Sequence, residues 1–151
     1  MIALAASASI PGIASAEENA MSMREENKAT IGRFIQAVWR EGRLDRLPEF
    51  WTAECVNHAD PAPEKTGLPA LKRYHEGFAQ GFADFDELKI ALEQQIAEND
   101  KVVTQMVTRA VHKPSGRHVS LATIRIDRLE QGKIAEHWSV ADMAGLMQQL
   151  A

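Results

Sequence analysis

The chain has 151 residues, 45% hydrophobic and 25% charged, which suits one ordinary globular domain with a core of its own. A net charge of −4 with no basic stripe excludes the electrostatic footprint of a nucleic-acid binder. No apolar run reaches the roughly eighteen residues of a membrane span, and the single cysteine, Cys55, can form no internal disulfide.

Residues 1–20 differ in character from the rest. Met1 to Ile10 are mostly small and apolar, Pro11-Gly12 is expected to break a helix, and Ala14-Ser15-Ala16 precedes the polar Glu17-Glu18-Asn19. That order is the hydrophobic region, breaker and small-residue cleavage site of a secretory leader, without the basic start. The expectation is a leader remnant over residues 1–20, disordered or extended away from a domain spanning 21–151, and a periplasmic or secreted protein. The alternative is a cytoplasmic chain starting at Met21 or Met23. If the segment is a leader, deleting residues 1–20 leaves the melting temperature unchanged.

From Arg24 to Glu41, Ile31, Phe34, Ile35, Val38 and Trp39 form one apolar stripe at helical spacing, and Gly42 is a natural stop. Leu44 to Trp51 reads as a short second helix, with Leu47, Phe50 and Trp51 inward. Ala53 to His58 is extended, and Ala59-Asp60-Pro61-Ala62-Pro63 is a loop. Leu68 to Phe82 is a third helix burying Leu71, Tyr74, Phe78 and Phe82, with His75 turned to solvent; His112, near a turn, is also read as solvated. The period then changes to two. Strands are expected over Glu87–Ile96, Val102–His112, His118–Leu129 and Ile134–Ala141, separated by Asn99-Asp100, Lys113-Pro114-Ser115-Gly116 and Glu130-Gln131-Gly132-Lys133. Asp142 is a good N-cap for a closing helix from Met143 to Leu150. Helices followed by a strand meander indicate an α+β domain. Its curved, mainly antiparallel sheet wraps around the N-terminal helices and leaves an open cavity.

Several of these segments carry a family likeness. Asn27-Lys28-Ala29 leading to Val38-Trp39 and Gly42-Arg43-Leu44-Asp45 is similar to the opening of the SnoaL-like polyketide cyclases (ester cyclases), a branch of the nuclear transport factor 2-like cone fold. Cys55-Val56-Asn57-His58 resembles their first strand, and Gly67 with Leu71-Lys72 the start of their third helix. Asp100-Lys101-Val102-Val103 and Gly132-Lys133-Ile134 with Glu136-His137-Trp138 and Asp142 resemble two of their hairpins. The likeness runs over about residues 25 to 151. It implies the cone fold, a small-molecule ligand, a homodimer through the convex sheet face, and ring closure without metal or cofactor. Those cyclases use an acid/base carboxylate two residues beyond the histidine of the last strand, and a histidine on the strand before. Here the two positions hold Ser139 and Arg125, so both depart from the cyclase pattern.

The resemblance turns His137 and Ser139 toward the cavity and Glu136, Trp138 and Val140 away from it. His137 is then a candidate acid or base, or a cavity histidine held by one hydrogen bond. His58 and Asp60 are further catalytic candidates near the mouth, their alternatives being a solvated strand end and a turn former. Asp142 is a candidate replacement carboxylate or a helix cap. Arg125, Ser139, Asn57, Trp39 and Trp138 are candidate ligand contacts. An inward Arg125 needs an anionic ligand or a structural partner such as Asp127, two residues on. No metal-ligand triad, nucleophile elbow or phosphate-cradling glycine loop occurs. Two functions follow: cofactor-independent cyclase, isomerase or lyase chemistry on a small oxygenated apolar substrate, or non-catalytic binding of a small ligand.

Overall fold

A computed structural model describes residues 11–151, with side chains from residue 15 onward. Met1 to Ile10, the apolar part of the suggested leader, lie outside the described residues.

The first helix, α1, runs from Pro11 to Phe34 and continues as a π-helical turn over Ile35–Arg40. Pro11 and Gly12, expected to break a helix, both lie within the described helix. Residues 15–19 and 21–26 are exposed, and burial begins at Asn27, where the stripe of Ile31, Phe34, Ile35 and Val38 enters the core. A 3₁₀ turn (Leu44–Arg46) leads into the short α2 (Leu47–Phe50). Trp51, expected to end that helix, is instead the first residue of β1 (Trp51–Asn57).

Helix α3 spans Leu68–Gly81, and β2 (Phe85–Glu98), β3 (Lys101–His112), β4 (Arg117–Glu130) and β5 (Lys133–Ala141) follow as an antiparallel meander. Helix α4 (Met143–Leu150) closes the chain. The five strands lie in the order β1-β5-β4-β3-β2, with β1 parallel to β5. The turns are chemically legible: Asn99 sits at φ 52° between β2 and β3, and Gln131-Gly132 at φ 49° and 76° between β4 and β5. Two consecutive positive φ values are the hairpin geometry that matches strand twist. Register shifts interrupt β2 twice and the β4–β5 ladder once; each such bulge bends its strand, and bends of this kind curl a sheet.

One sheet face packs on α1, α2 and α3. Its core joins Ile31, Phe34 and Ile35 to Leu47, Phe50, Trp51, Leu71, Val102, Met106, Leu129 and Ile134. A smaller cluster of Ala110, Val119 and Leu121 lies under Leu146 of α4. Along β4 the alternation is regular: Val119, Leu121, Thr123, Arg125, Asp127 and Leu129 are buried, while Ile124 and Ile126 are exposed. The inner face is not uniformly apolar. Thr104, Thr108, Thr123, Arg125, Asp127 and His137 are all buried there. Polar groups at positions whose period demands apolar ones mark a place where function overrides packing.

Candidate active site

The centre of the inner face is a charged network. Arg125 and Asp127, 2% and 0% exposed at their side chains, pair in bidentate fashion: Arg125 Nε donates to Asp127 Oδ2 and Nη2 to Oδ1, both at 2.7 Å. Asp127 faces His137 directly across the β4–β5 ladder, and His137 Nδ1 lies 2.9 Å from Asp127 Oδ1. Arg125 Nη2 is also 3.4 Å from His137 Nδ1. The shorter contact assigns the proton: Nδ1–H donates to the carboxylate, and the guanidinium, with nothing left to donate to, merely passes close by. Arg125 also sits over the Phe34 ring, 5.0 Å from its centroid.

Burial alone would raise the Asp127 carboxyl, but the Arg125 charge and then His137 outweigh it and hold it at about 2. His137 is pushed below the ordinary histidine value, first by burial and then by Arg125, with Asp127 opposing. The pair is thus a neutral imidazole oriented by an ionised carboxylate. That arrangement fixes the tautomer and leaves Nε2 as the basic nitrogen.

Beside this network a cavity of about 440 Å³ opens between the π turn, α3 and the sheet, walled by Trp39, His75, Phe78, Phe82, Ile90 and Thr108. Trp39 lies within the π turn, a helix defect that recurs at functional sites. His75 was expected in solvent but is 6% exposed, packed edge-on against Phe34, Trp39 and Tyr74. The reason is spacing: Leu71, His75, Phe78 and Phe82 lie at i, i+4, i+7 and i+11, the centre of the buried stripe. Burial, then the positive Arg125 and His137, lower His75 from 6.5 to about 3, so it is a neutral imidazole. His112 is half-buried, with Nδ1 2.8 Å from the Ser115 hydroxyl.

Among the described residues, five buried side-chain atoms have no hydrogen-bond partner: Trp39 Nε1, Trp51 Nε1, Asn57 Nδ2, Asp60 Oδ2 and His75 Nε2. Ring contacts tie three of their owners together. Phe34 touches both Trp51 and His75, Trp39 touches His75, and Trp51 packs against His137 at 6.0 Å. Asn57 stands opposite His137 in the β1–β5 register, and Asp60 lies close enough to Tyr74 to act on it electrostatically. Two of the five, on Trp39 and His75, lie on the cavity wall, and two, on Trp51 and Asn57, belong to neighbours of His137.

The other candidates fall as follows. Asp60 is buried and its Oδ1 accepts from Ala62 N at 2.9 Å, as a turn former does. Asn57 Oδ1 accepts from Ala59 N at 3.1 Å. Ser139 is half-buried, next to the Tyr74 phenol and paired in register with Arg125. His58 and Trp138 stack on each other, 4.6 Å between centroids and 4° between planes, and His58 Nε2 lies 3.8 Å from Glu136. Together with Ile124, Ile126 and Val140 they line a shallow groove of the outer face, away from the cavity. Asp142 is an exposed N-cap of α4 and accepts from Gly145 N at 2.8 Å. It belongs to the cap: its backbone N–H still donates to Ala122 O on β4 at 2.9 Å, while its side chain turns to the first turn of α4. Asp127, considered from sequence only as a partner for Arg125, is the carboxylate that His137 reaches. Among the described residues no His/Cys/Asp/Glu group is arranged to hold a metal ion, and no helix is long and apolar enough to cross a membrane.

Comparisons with known proteins agree with this geometry. No curated protein sequence matches the chain. TsrD from Streptomyces laurentii superposes with a TM-score of 0.69 at 25% identity, covering 85% of this chain and 96% of its own. IdmH from Streptomyces antibioticus superposes at 0.70 with 23% identity, over 82% and 97% of the two chains. A SnoaL-like polyketide cyclase from Agrobacterium tumefaciens gives 0.65 at 19% identity, over 83% and 98%. The family model of the SnoaL-like polyketide cyclases matches residues 29–150. With its helices held against a curved five-stranded sheet, the chain belongs to the SnoaL-like polyketide cyclase family and has the nuclear transport factor 2-like fold.

Proposed function

We propose that this chain takes a small, largely apolar, oxygen-bearing molecule into the interior beside Trp39 and His75. There it rearranges the molecule by cofactor-independent proton transfer, as a cyclase, isomerase or lyase does. The observation that carries the reading is a carboxylate-oriented imidazole whose neighbours Trp51 and Asn57 bear unpartnered buried N–H groups, while Trp39 and His75 bear two more unpartnered nitrogens on the cavity wall. Buried polar atoms without partners are costly, and a cluster of them beside a cavity suits a ligand whose own polar groups complete the bonds. His137, held by Asp127, would move the proton through Nε2, and neutral His75 would hydrogen-bond the substrate. Ser139 cannot carry the proton that a carboxylate carries in the aromatic cyclases, so the chemistry falls to the histidines.

A second reading has a specific observation behind it: His75, not His137, lines the open cavity. On that reading the chain binds a small ligand without transforming it. One experiment separates the two. Neutral aromatic esters and ketones are screened by thermal shift, and binders are incubated with wild type and His137→Ala while products are followed by mass spectrometry. Turnover lost in His137→Ala, with binding kept, supports the enzyme. Binding without turnover in wild type supports the carrier, and no binder at all removes both.

A further inference from the structure

We infer that a second pocket, between the Asp60-Pro61 loop and α3, binds a small zwitterion of the α-amino acid class, its ammonium on Asp60 and its carboxylate on Arg73. The pocket, about 290 Å³, is lined by Asp60, Pro61, Arg73, Tyr74, Gly77 and Phe78. It shares only Phe78 with the cavity beside Trp39 and His75, so the inference does not rest on the chemistry proposed there. Small-molecule sites run from roughly 300 Å³ upward, so the occupant is small. The chain builds this pocket by folding back on β1. Asn57 N donates to Lys65 O at 3.0 Å and Gly67 N to Cys55 O at 2.7 Å, which closes the loop and starts α3 beside it at Leu68. Tyr74 and Phe78, one turn apart, share a helix face. Gly77 lies between them, and a Cβ added there would meet nothing within 4 Å, so the face stays open.

Asp60 is 7% exposed, and its Oδ2 is the remaining unpartnered buried atom. The carboxylate is fixed in place: Asp60 N donates to Asn57 O at 3.2 Å, and Oδ1 accepts from Ala62 N at 2.9 Å. A buried carboxylate oxygen without a donor is costly, and a cationic donor offsets that cost best. Arg73 borders the same pocket but does not supply the bond. Its Nη2 donates to Glu64 O at 2.6 Å, and among the described residues its Nε and Nη1 have no acceptor. One pocket thus holds a carboxylate and a guanidinium that are not paired with each other. A lone ammonium would meet Arg73 as a like charge, and a lone carboxylate would meet Asp60 as one. A zwitterion satisfies both and lays its side chain on the Tyr74 and Phe78 rings. Burial pushes the Tyr74 phenol above its ordinary value, so that wall stays neutral.

The test uses probes that share one phenyl group and differ in charge: L-phenylalanine, 2-phenylethylamine and 3-phenylpropanoate, titrated calorimetrically into the full chain at neutral pH. Wild type is expected to bind L-phenylalanine at least about tenfold more tightly than either partner, the scale of one charge-assisted hydrogen bond. Asp60→Asn and Arg73→Gln are each expected to weaken L-phenylalanine by about tenfold or more. Gly77→Leu places a side chain in the pocket from an exposed helix position. It is expected to weaken L-phenylalanine by about tenfold or more while keeping or raising the melting temperature, since leucine is the better helix former. Failure of all three probes to bind overturns the inference. The amine or the carboxylate binding as tightly as the amino acid does so too, because one of the two charged residues would then play no part. Unchanged affinity in any of the three variants also overturns it. Should Asp60→Asn not fold, Arg73→Gln and Gly77→Leu decide the matter by the same readings.

Discussion

Acidification tests the burial of His75 directly. The folded protein keeps this imidazole neutral down to about 3, whereas the unfolded chain takes up a proton near the ordinary value of 6.5. Between those limits the unfolded state binds more protons, so stability is complete above the upper value and falls as pH falls toward the lower one. Applying the linkage relation to these two values, His75 costs little at pH 7 and about 2 kcal/mol at pH 5. Between the two pH values its contribution falls by just under about 2 kcal/mol. His137, also depressed by burial, adds a loss of the same sign. Asp127 contributes almost nothing to the difference between pH 7 and pH 5, because its unfolded value of 3.8 lies below both. The assay is urea denaturation of wild type and His75→Gln at both pH values, followed by tryptophan fluorescence. The variant is expected to lose about 2 kcal/mol less than wild type on acidification. If both lose the same within about 0.5 kcal/mol, His75 is not held neutral and the account of the cavity wall fails.

Other consequences are equally accessible. Arg125→Ala leaves the Asp127 carboxylate buried without its cation, held only by the His137 hydrogen bond, and is expected to cost about 3 to 5 kcal/mol in chemical denaturation, whereas Arg125→Met/Asp127→Leu should be close to neutral. Asp142→Ala removes the α4 cap and should cost about 0.5 to 2 kcal/mol without altering ligand binding. Gly145→Ala should lower the melting temperature, because its added Cβ would push the Asp142 carboxylate out of the cap. A homodimer through the outer sheet face, where Ile124, Ile126 and Val140 are 52%, 37% and 77% exposed, should sediment as two chains at micromolar concentration. Ile124→Lys/Val140→Lys should sediment as one; a wild-type monomer removes the proposal.

Much of the fold was legible because its elements announce themselves locally. The α1 stripe from Ile31 to Val38, the Asn99-Asp100 and Gln131-Gly132 turns, the alternation along β4 and the Asp142 cap are each decided by a few neighbouring residues. The inward position of Arg125 and its pairing with Asp127 two residues on were also readable, since residues i and i+2 share a strand face. His75 was legible in principle from its spacing to Leu71 and Phe78, and was missed because a histidine on a helix is ordinarily solvated.

What only the tertiary structure decided is the meeting of Asp127 with His137. Counting back from the Gln131-Gly132 turn pairs Glu130 with Lys133 and Leu129 with Ile134, a register that would set Asp127 opposite Glu136. The ladder instead shifts after Leu129: Arg128 pairs with Glu136 and Asp127 with His137, while Ile134 and Ala135 are buried in succession. A bulge inserts one residue and exchanges the faces of everything beyond it, because side chains alternate with period two. Local propensity does not specify where such a residue sits. The bulge is set by the long-range fit of β5 between β4 and β1, and it turns His137 inward to its carboxylate while Trp138 faces out to stack on His58.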